Sequence, residues 1–296
     1  MTTKQTQLFG GNWTDKKLEM LRKYLVAYAK IMNKQPFNFI YIDAFAGTGY
    51  RERRQGECKS SIPPLLPEFL QDETQELMNG SPRIALEVEP SFMKYIFIEK
   101  NPKRFKELST LCEEFPHLAN RIDLINADCN IYLKDLCVNS QWTKQRAVLF
   151  LDPFGMQVEW ETMEAIAKTK AIDVWILFPL GVAVNRLLKR NGDIKETWRI
   201  RLNRLFATNE WHDTFYKNII SDDLFGPKQK IIKVCTLESI SRFYIKHLKK
   251  IFANVADSPR PLFNSKGNPL FHLCFAVANP RGAAVAMKIA DHILKG

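Results

Sequence analysis

The sequence predicts an α/β protein built on a doubly wound, mostly parallel sheet. Apolar, β-prone runs alternate with segments whose apolar residues recur at helical spacing, which is the pattern of repeated strand and helix units. The first run enters the glycine-rich segment 43–49, DAFAGTG, and several later runs end in an acidic residue. Strands that end in this way at one edge of a parallel sheet are typical of a ligand-binding crevice.

The elements follow one another in a regular order. Leu18, Leu21 and Leu25 predict an amphipathic helix over 14–32. Seven strands are predicted at 38–43, 95–99, 122–128, 146–152, 173–179, 252–256 and 271–277, with the C-terminal strand antiparallel. Helices are predicted at 81–87, 102–114, 130–136, 160–168, 239–252 and 283–294.

The predicted domains follow from changes in composition along the chain. Residues 1–36 form an N-terminal helical segment, and residues 37–184 together with 229–296 form the α/β domain. Segment 50–80 interrupts this domain as an insertion or lid, because arginines, prolines and then acids replace its strand and helix patterns. Residues 185–228 are basic and tryptophan-bearing, and a helical subdomain is expected there.

The net charge of the chain indicates which class of molecule it binds. The 296 residues include 43 Lys and Arg against 32 Asp and Glu, which leaves a net charge of +11. A basic protein attracts polyanions at long range and gains from counterion release when it binds them. RNA or DNA is therefore an expected partner.

Cysteines and histidines give no metal-site pattern. The six cysteines include no C-x-x-C pair, so no metal is expected and the thiols are interpreted as reduced in a cytoplasmic protein. The N-terminal stretch lacks the apolar core of a signal peptide, and the longest apolar run, 174–184, is too short to span a membrane. Neither secretion nor membrane insertion is expected.

The glycine turn carries the first chemical information. Gly47 and Gly49 follow a buried strand, where glycine lets backbone amides approach a ligand. The dinucleotide fingerprint requires glycine or alanine where Glu52 stands, which disfavours a nicotinamide-dependent oxidoreductase. Glu99 stands 50 positions after Gly49, and 19 once the 31 residues of segment 50–80 are removed. That distance matches the spacing of about 20 residues at which an acid accepts ribose hydroxyls.

Acids end four of the predicted parallel strands: Asp43, Glu99, Asp128 and Asp152. Because the carboxyl ends of parallel strands face one crevice, these acids and the glycine turn are expected to converge on one ligand. Simpler interpretations stay open. Asp43 could cap the glycine turn, and Glu99 and Asp128 could cap the helices that follow them.

Together these residues resemble class I S-adenosylmethionine-dependent methyltransferases and, within them, the three-Cys-motif partner (TcmP) proteins. The resemblance rests on the helix from Trp13 to Leu25, DAFAGTG at 43–49, GSP at 80–82, LDPFG at 151–155 and NR at 185–186. It implies a Rossmann-like methyltransferase sheet and S-adenosyl-L-methionine as cofactor. The family name also implies a partner that resembles a radical-S-adenosylmethionine protein with three cysteines.

The resemblance also implies cofactor contacts. Asp43, Gly47 and Gly49 would lie near the methionine part of the cofactor, Glu99 would hold the ribose, and Asp128 would hold the adenine. Phe45 and Cys129, which adjoin these positions, are assigned to the same cofactor site.

The segment D-P-F-G at 152–155 resembles the (Asp/Asn/Ser)-Pro-Pro-(aromatic) motif of enzymes that methylate amino groups of bases. The resemblance implies Asp152, Pro153 and Phe154 as the catalytic centre, with the acid accepting a hydrogen bond from the target amine and the aromatic ring stacking on an extruded base. The match is imperfect, because aligning Asp152 with the first position puts Gly155 in the aromatic position. Phe154 could also be an ordinary core residue.

Two basic segments are candidates for phosphate contacts. Arg51, Arg53 and Arg54 follow the glycine turn, and Arg199 and Arg204 belong to the segment WRIRLNRLF at 198–206. A solvated loop and the wet face of an amphipathic helix are the competing interpretations.

The sequence thus predicts an S-adenosylmethionine-dependent methyltransferase that acts on an exocyclic amino group of a nucleic-acid base. One alternative is a non-catalytic or partner-dependent protein of the same fold that works with the three-cysteine partner. Another is a methyltransferase that acts on protein or small molecules.

Overall fold

A computed structural model describes residues 12–49, 80–153, 155–223 and 226–296. Residues 50–79 of the predicted insertion lie outside the described residues, and so does Phe154. None of the helices in the described ranges combines the length and the apolar character needed to cross a membrane.

Strands and helices alternate along most of the chain. The strands are β1 (Asn38–Asp43), β2 (Lys94–Ile98), β3 (Ile122–Ile125), β4 (Gln145–Leu151), β5 (Ile172–Phe178), β6 (Tyr216–Asp223), β7 (Gly226–Lys233), β8 (Asn254–Val255), β9 (Arg260–Phe263) and β10 (Pro269–Val277). The α-helices are α1 (Asn12–Met32), α2 (Ser81–Leu86), α3 (Pro102–Leu108), α4 (Leu111–Glu114), α5 (Cys129–Asn139), α6 (Trp160–Lys168), α7 (Asn185–Leu187), α8 (Glu196–Phe206), α9 (Glu210–Phe215), α10 (Leu237–Ile251) and α11 (Ala283–Lys295). A 3₁₀ turn covers Ala119–Arg121, and a π-helical turn, Leu180–Val184, follows β5.

Eight strands of the described chain form one sheet in the order β3-β2-β1-β4-β5-β10-β8, and β9 pairs with β10 beside this path. Strands β1 to β5 are parallel, whereas β10 runs antiparallel to its neighbours. The predicted doubly wound, mostly parallel sheet with an antiparallel C-terminal strand is confirmed. The prediction of seven strands missed β9, because a run of four residues that contains Pro261 gives little strand signal.

One face of the sheet, called the aromatic face below, presents Phe39, Tyr41, Tyr95, Phe97, Phe150, Trp175, Phe271 and Phe275. Helices α1, α2 and α11 cover this face with side chains such as Leu25, Leu86 and Ala290. Tyr24 of α1 meets Trp175 edge to face, with ring centroids 5.3 Å apart. The aromatic side chains of the strands are each at most 2% exposed, so the covering helices exclude solvent from them.

The opposite face, called the aliphatic face below, presents Ile40, Ile42, Ile96, Ile98, Leu149, Leu151, Val174 and Ile176. Helices α5, α6, α8 and α10 cover it through Leu133, Met163, Leu202 and Leu248. The two compositions follow from the alternation of side chains along each strand. Burial on both faces explains the near-continuous apolar runs that predicted a parallel sheet.

The segment 185–228, predicted to be helical, is helical only as far as Phe215. From Tyr216 the chain forms the antiparallel pair β6–β7, which is a two-stranded sheet separate from the main one. The sequence conceals this pair because its isoleucines are consecutive, at 219–220 and 231–232, which breaks the alternation typical of a strand. The predicted division of the chain into domains stays a prediction.

Candidate functional site at the carboxyl edge of the sheet

The carboxyl ends of β1, β2, β3 and β4 meet at one edge. Three backbone hydrogen bonds continue the strand pairing beyond the strands: Ala44 N to Phe150 O, Ala46 N to Ile98 O, and Glu99 N to Ile125 O, at 3.1, 2.9 and 3.0 Å. The register sets Asp43 beside Phe97 on one side and Phe150 on the other. Asp43, Glu99 and Asp152 therefore emerge at the same edge, as the sequence predicted.

The turn after β1 depends on its glycines. Gly47 and Gly49 have φ angles of +62° and +76°, in the left-handed region that side chains other than glycine disfavour. A Cβ atom on Gly49 would lie 2.7 Å from Leu111 Cδ1. The absence of a side chain at Gly49 therefore lets the turn pack closely against Leu111, and the positive φ angles of both glycines set the path of the turn at the edge of the sheet.

Glu99 joins this turn to β2. Its Oε2 accepts a hydrogen bond from Gly47 N at 3.1 Å, and its Oε1 accepts one from Asn101 N at 2.6 Å. The side chain is 5% exposed, yet a carboxylate offers about four acceptor positions, so two further donors can bind it. The helix that follows is capped by Asn101, which accepts from Lys103 N and Arg104 N. Glu99 is therefore tied to the glycine turn and keeps acceptors for a pair of hydroxyls.

Asp43 is fully buried beneath the turn. It accepts hydrogen bonds from Tyr41 Oη and Phe45 N, both at 3.2 Å. Burial raises the pKa of Asp43 to about 6, the nearby Ser81 hydroxyl and Phe45 N–H oppose the rise, and the charge of Asp152 adds to it. The turn-capping role considered for Asp43 is thus present in the structure, through Phe45 N. Phe45 itself is half-buried at the edge.

Asp152 forms a buried ion pair that the sequence did not reveal. Its Oδ2 accepts from Lys17 Nζ of α1, and the two side chains are 3% and 0% exposed. The ammonium also lies 5.5 Å from the ring centroid of Phe150. Burial raises the pKa of Asp152, whereas the charge and hydrogen bond of Lys17 lower it. The effect of burial is the larger, so the pKa of Asp152 lies above its usual value, and Lys17 offsets only part of the rise.

A signal for Lys17 was present in α1. Lys17 lies four, seven and eleven residues before Leu21, Tyr24 and Tyr28, so it belongs to the stripe that faces the sheet. A lysine on a buried stripe requires a buried acid as partner. Tyr24, on the same stripe, donates to Asp173 Oδ2 at 2.7 Å.

Asp128 occupies the N-cap of α5, where it accepts from Asn130 N at 2.9 Å. Its other oxygen pairs with Lys100 Nζ at 3.1 Å. Burial alone would raise the pKa of Asp128, but the hydrogen bonds from Lys100 and Asn130 lower it below the usual value. The helix-capping role is thus present, and contact with adenine stays a prediction. Burial raises the pKa of the neighbouring Cys129 thiol to about 12, which keeps the thiol protonated in the core.

The remaining predicted residues are only partly brought together. Pro153 is buried directly after Asp152, whereas Phe154, Arg51, Arg53 and Arg54 lie outside the described residues. Arg199 and Arg204 lie on α8, half-buried and exposed respectively. Burial raises the pKa of Tyr216 at the start of β6, and the nearby charge of Arg199 opposes that rise. Arg199 thus lies beside the β6–β7 pair. In the ranges that the structure describes, no cluster of three or more His, Cys, Asp or Glu side chains could hold a metal ion.

Comparisons with known proteins leave the family open. No protein-family model and no curated protein sequence matches the chain, so the resemblance to TcmP proteins stays a prediction. Similar solved structures include protein LPL1258 from Legionella pneumophila, of family DUF519, with a TM-score of 0.49, 14% identity, and coverage of 96% of this chain and 92% of the other.

Two further structures are methyltransferases by their descriptions. A proposed S-adenosylmethionine-dependent methyltransferase from Listeria monocytogenes has a TM-score of 0.39 and 11% identity over 86% of this chain and 97% of its own. Magnesium protoporphyrin IX methyltransferase from Synechocystis, with bound S-adenosylhomocysteine, has a TM-score of 0.34 and 11% identity over 78% and 88%. These TM-scores lie below 0.5, so the likeness assigns neither a family nor an activity to this chain.

Proposed function

We propose that this protein is an S-adenosylmethionine-dependent methyltransferase that modifies an exocyclic amino group of a nucleic-acid base. The observation that carries the proposal is the link between the glycine turn and Glu99, with Asp43 and Asp152 at the same edge of the sheet. A bare backbone turn beside a buried carboxylate with spare acceptors fits a ligand that carries a ribose. The convergence of these groups supports the cofactor class.

The cofactor, when bound, supplies an electrophilic methyl group. In this proposal the Glu99 carboxylate holds the ribose hydroxyls, and the glycine turn lets the backbone approach the methionine part. These contacts position the donor without a covalent bond to the protein.

Asp152 would act on the target amine. Lys17 occupies one of about four acceptor positions on its carboxylate, which leaves acceptors for an amine N–H. When that N–H is held by Asp152, the nitrogen lone pair is free to attack, and the carboxylate can hold the proton that the amine then loses. Lys17 would serve as a positioning residue, because it fixes Asp152 and opposes the rise in its pKa that burial causes.

Calorimetric titration with S-adenosylmethionine and S-adenosylhomocysteine tests the cofactor site. Glu99→Gln keeps the shape of the side chain and removes its charge, so affinity is expected to fall at least about tenfold, the equivalent of one charged hydrogen bond. Asp123→Asn is the matched control, since Asp123 lies on β3 and pairs with Lys94 at the surface. Equal affinities in the two variants would exclude the ribose role of Glu99.

Transfer of a labelled methyl group to RNA and DNA tests Asp152. Asp152→Asn is expected to lower turnover at least about 10²-fold, the usual contribution of a general base, while cofactor affinity stays within about twofold. If cofactor affinity falls as much as turnover does, Asp152 contributes to cofactor binding and not to the transfer step.

One observation favours a second candidate. Lys17 neutralises Asp152, and Asp152 is 2% exposed, which is also what a structural ion pair looks like. If the wild-type protein binds the cofactor but transfers no methyl group to RNA, DNA or protein, it is the non-catalytic, partner-dependent protein. That outcome would direct the search to a protein partner.

A further inference from the structure

The pair β6–β7 forms a ribbon that stands apart from the main sheet. Each strand has eight residues, which corresponds to a length of about 27 Å. Side chains on both of its faces are exposed: Lys217 and Ile219 on one face, and Ile220 and Ile231 on the other. Ile220 is 73% exposed. A two-stranded ribbon with exposed isoleucines gains little from burial within its own chain.

The root of the ribbon is nevertheless fixed to the body. Tyr216 Oη donates to Lys189 O at 2.9 Å, and Lys233 Nζ donates to Asn185 Oδ1 at 2.7 Å and to Leu188 O at 3.0 Å. A Cβ atom on Gly192 would lie 2.5 Å from Ile231 Cγ2, so glycine permits this close seat. The ribbon is therefore held in a defined position.

The surface around the root is basic. A cleft of about 540 Å³ is lined by Arg190, Asn191, Gln229, Lys230, Ile231 and Ile232. A second cleft beside it adds Lys233, and among the residues that the structure describes neither lining includes an acidic side chain. Segment 185–233 carries eleven Lys and Arg against six Asp and Glu, which is nearly half of the net charge of the chain. Cations and amides without carboxylates fit a phosphodiester backbone.

We propose that the ribbon β6–β7 and the clefts at its root bind double-stranded DNA, with the ribbon in the major groove. The proposal rests on the proposed function only in taking a nucleic acid as substrate. The major groove of B-form DNA, about 12 Å wide, admits a two-stranded β-ribbon, whereas the narrow major groove of A-form RNA does not. Arg190 and Lys230 contact phosphates, and the exposed isoleucines meet apolar base edges such as the thymine methyl group.

This arrangement has a consequence for the reaction. A base inside a duplex cannot reach Asp152, so the target nucleotide must be extruded from the stack. The ribbon then holds the duplex while a flipped base enters the carboxyl edge of the sheet.

Fluorescence anisotropy tests the proposal. One nucleotide sequence is compared as duplex DNA, as single-stranded DNA and as single-stranded RNA, each with about 20 nucleotides per strand. At 3.4 Å per base pair the duplex is longer than the ribbon. No methyl donor is present, so binding is measured even if transfer fails. The full-length protein is compared with the double variant Arg190→Glu, Lys230→Glu. The control, Arg281→Glu with Lys288→Glu, makes the same charge change at exposed positions beside and on α11, across the sheet.

Duplex DNA is expected to bind more tightly than either single strand. The Arg190 and Lys230 variant is expected to lose at least about tenfold in affinity and about two units of the slope of log K against log salt, whereas the control loses less than about twofold. Equal losses in both variants, or tighter binding of single-stranded DNA or RNA, would overturn the proposal. Unchanged binding of S-adenosylhomocysteine and unchanged thermal unfolding show that a loss of DNA affinity is local.

Discussion

The aromatic and aliphatic faces of the sheet are both buried, but they hold different chemistry. On the aromatic face the buried polar groups include the acids Asp43, Asp152 and Asp173, and α1 pairs Lys17 with Asp152 and Tyr24 with Asp173. On the aliphatic side, neutral groups such as Asn130 hold the buried polar contacts. The comparison shows that the buried acids of the candidate site lie on the aromatic side of the sheet. Helix α1 covers the strands on that side and also supplies the polar partners of two of these acids.

The pKa shifts of buried groups also differ between the two faces. Burial raises the pKa of Asp173 to about 7 under α1. On the other face, burial lowers the pKa of His272 to about 4, and it also lowers the pKa of His247. Acids that resist ionisation and histidines that resist protonation respond to pH in opposite directions.

The largest expected effect is that of Lys17→Ala. The substitution leaves the Asp152 carboxylate buried without its cation, which costs about 3–5 kcal/mol of unfolding free energy. Urea unfolding measures the change. Lys16→Ala, at an exposed position of the same helix, is expected to stay within about 0.5 kcal/mol. Equal losses in the two variants would contradict the importance of the ion pair.

The second largest expected effect is on the pH dependence of stability, which Asp173→Asn and His272→Asn change in opposite directions. The pKa of Asp173 is higher in the folded than in the unfolded chain, so its contribution to stability falls as the pH rises from about 4 to 7. Asp173→Asn removes this decline, which amounts to at most about 4 kcal/mol because one pKa unit corresponds to about 1.4 kcal/mol. His272 is neutral when folded, so its contribution falls as the pH drops from about 6.5 to 4.

Urea unfolding across this pH range checks both signs. Relative to wild type, the slope of stability against pH is expected to become more positive in Asp173→Asn and more negative in His272→Asn. Slopes that move in the same direction would refute the contrast between the faces.

Asn130→Ala tests an uncharged buried network on the aliphatic side of the sheet. Asn130 Oδ1 accepts from Glu159 N and Thr162 Oγ1, and its Nδ2 donates to Gln157 O. Loss of these buried contacts is expected to cost about 1–3 kcal/mol, with no dependence on pH. Asn139→Ala, on the exposed end of α5, is the control for the residue type. A pH-dependent loss at Asn130 would show that this network is linked to titration.

The smallest expected effect is that of Lys94→Ala. Lys94 pairs with Asp123 at 2.5 Å, but both side chains are more than two-fifths exposed. A pair of this kind contributes about 0–1 kcal/mol and is screened by salt. Chemical unfolding at low and high salt measures it. A loss as large as that of Lys17→Ala would mean that burial does not set the difference between the two pairs.

The sequence predicted the sheet well, because parallel strands buried on both faces are long apolar runs. It also predicted that Asp43, Glu99 and Asp152 meet at one edge, where Glu99 accepts from Gly47 N, whereas the ribose contact inferred from the spacing of Glu99 stays a prediction. These inferences need only strand direction and distance along the chain. They do not need knowledge of what covers the sheet.

Contacts between distant elements were not predictable in the same way. Asp152, the partner of Lys17, directly follows β4 and is distant in sequence, and the pattern of α1 alone does not select Asp152 over Asp173. The ribbon β6–β7 was missed because described side chains on both of its faces, such as Ile219 and Ile220, are exposed, and its sequence lacks the alternation that marks a half-buried strand. Both cases depend on tertiary packing that local patterns do not encode.

The buried pair of Lys17 and Asp152 also sets an order for synthesis of the chain. The two residues are 135 positions apart, so at about 5–20 residues per second the acid is made roughly 7–27 s after the lysine. Burying the ammonium of Lys17 before Asp152 exists would forgo this ion pair, and burying a charge without its counter-charge is costly in free energy. Helix α1 is therefore translated before its buried acidic partner, so the paired arrangement of Lys17 and Asp152 requires that β4 has already been synthesised.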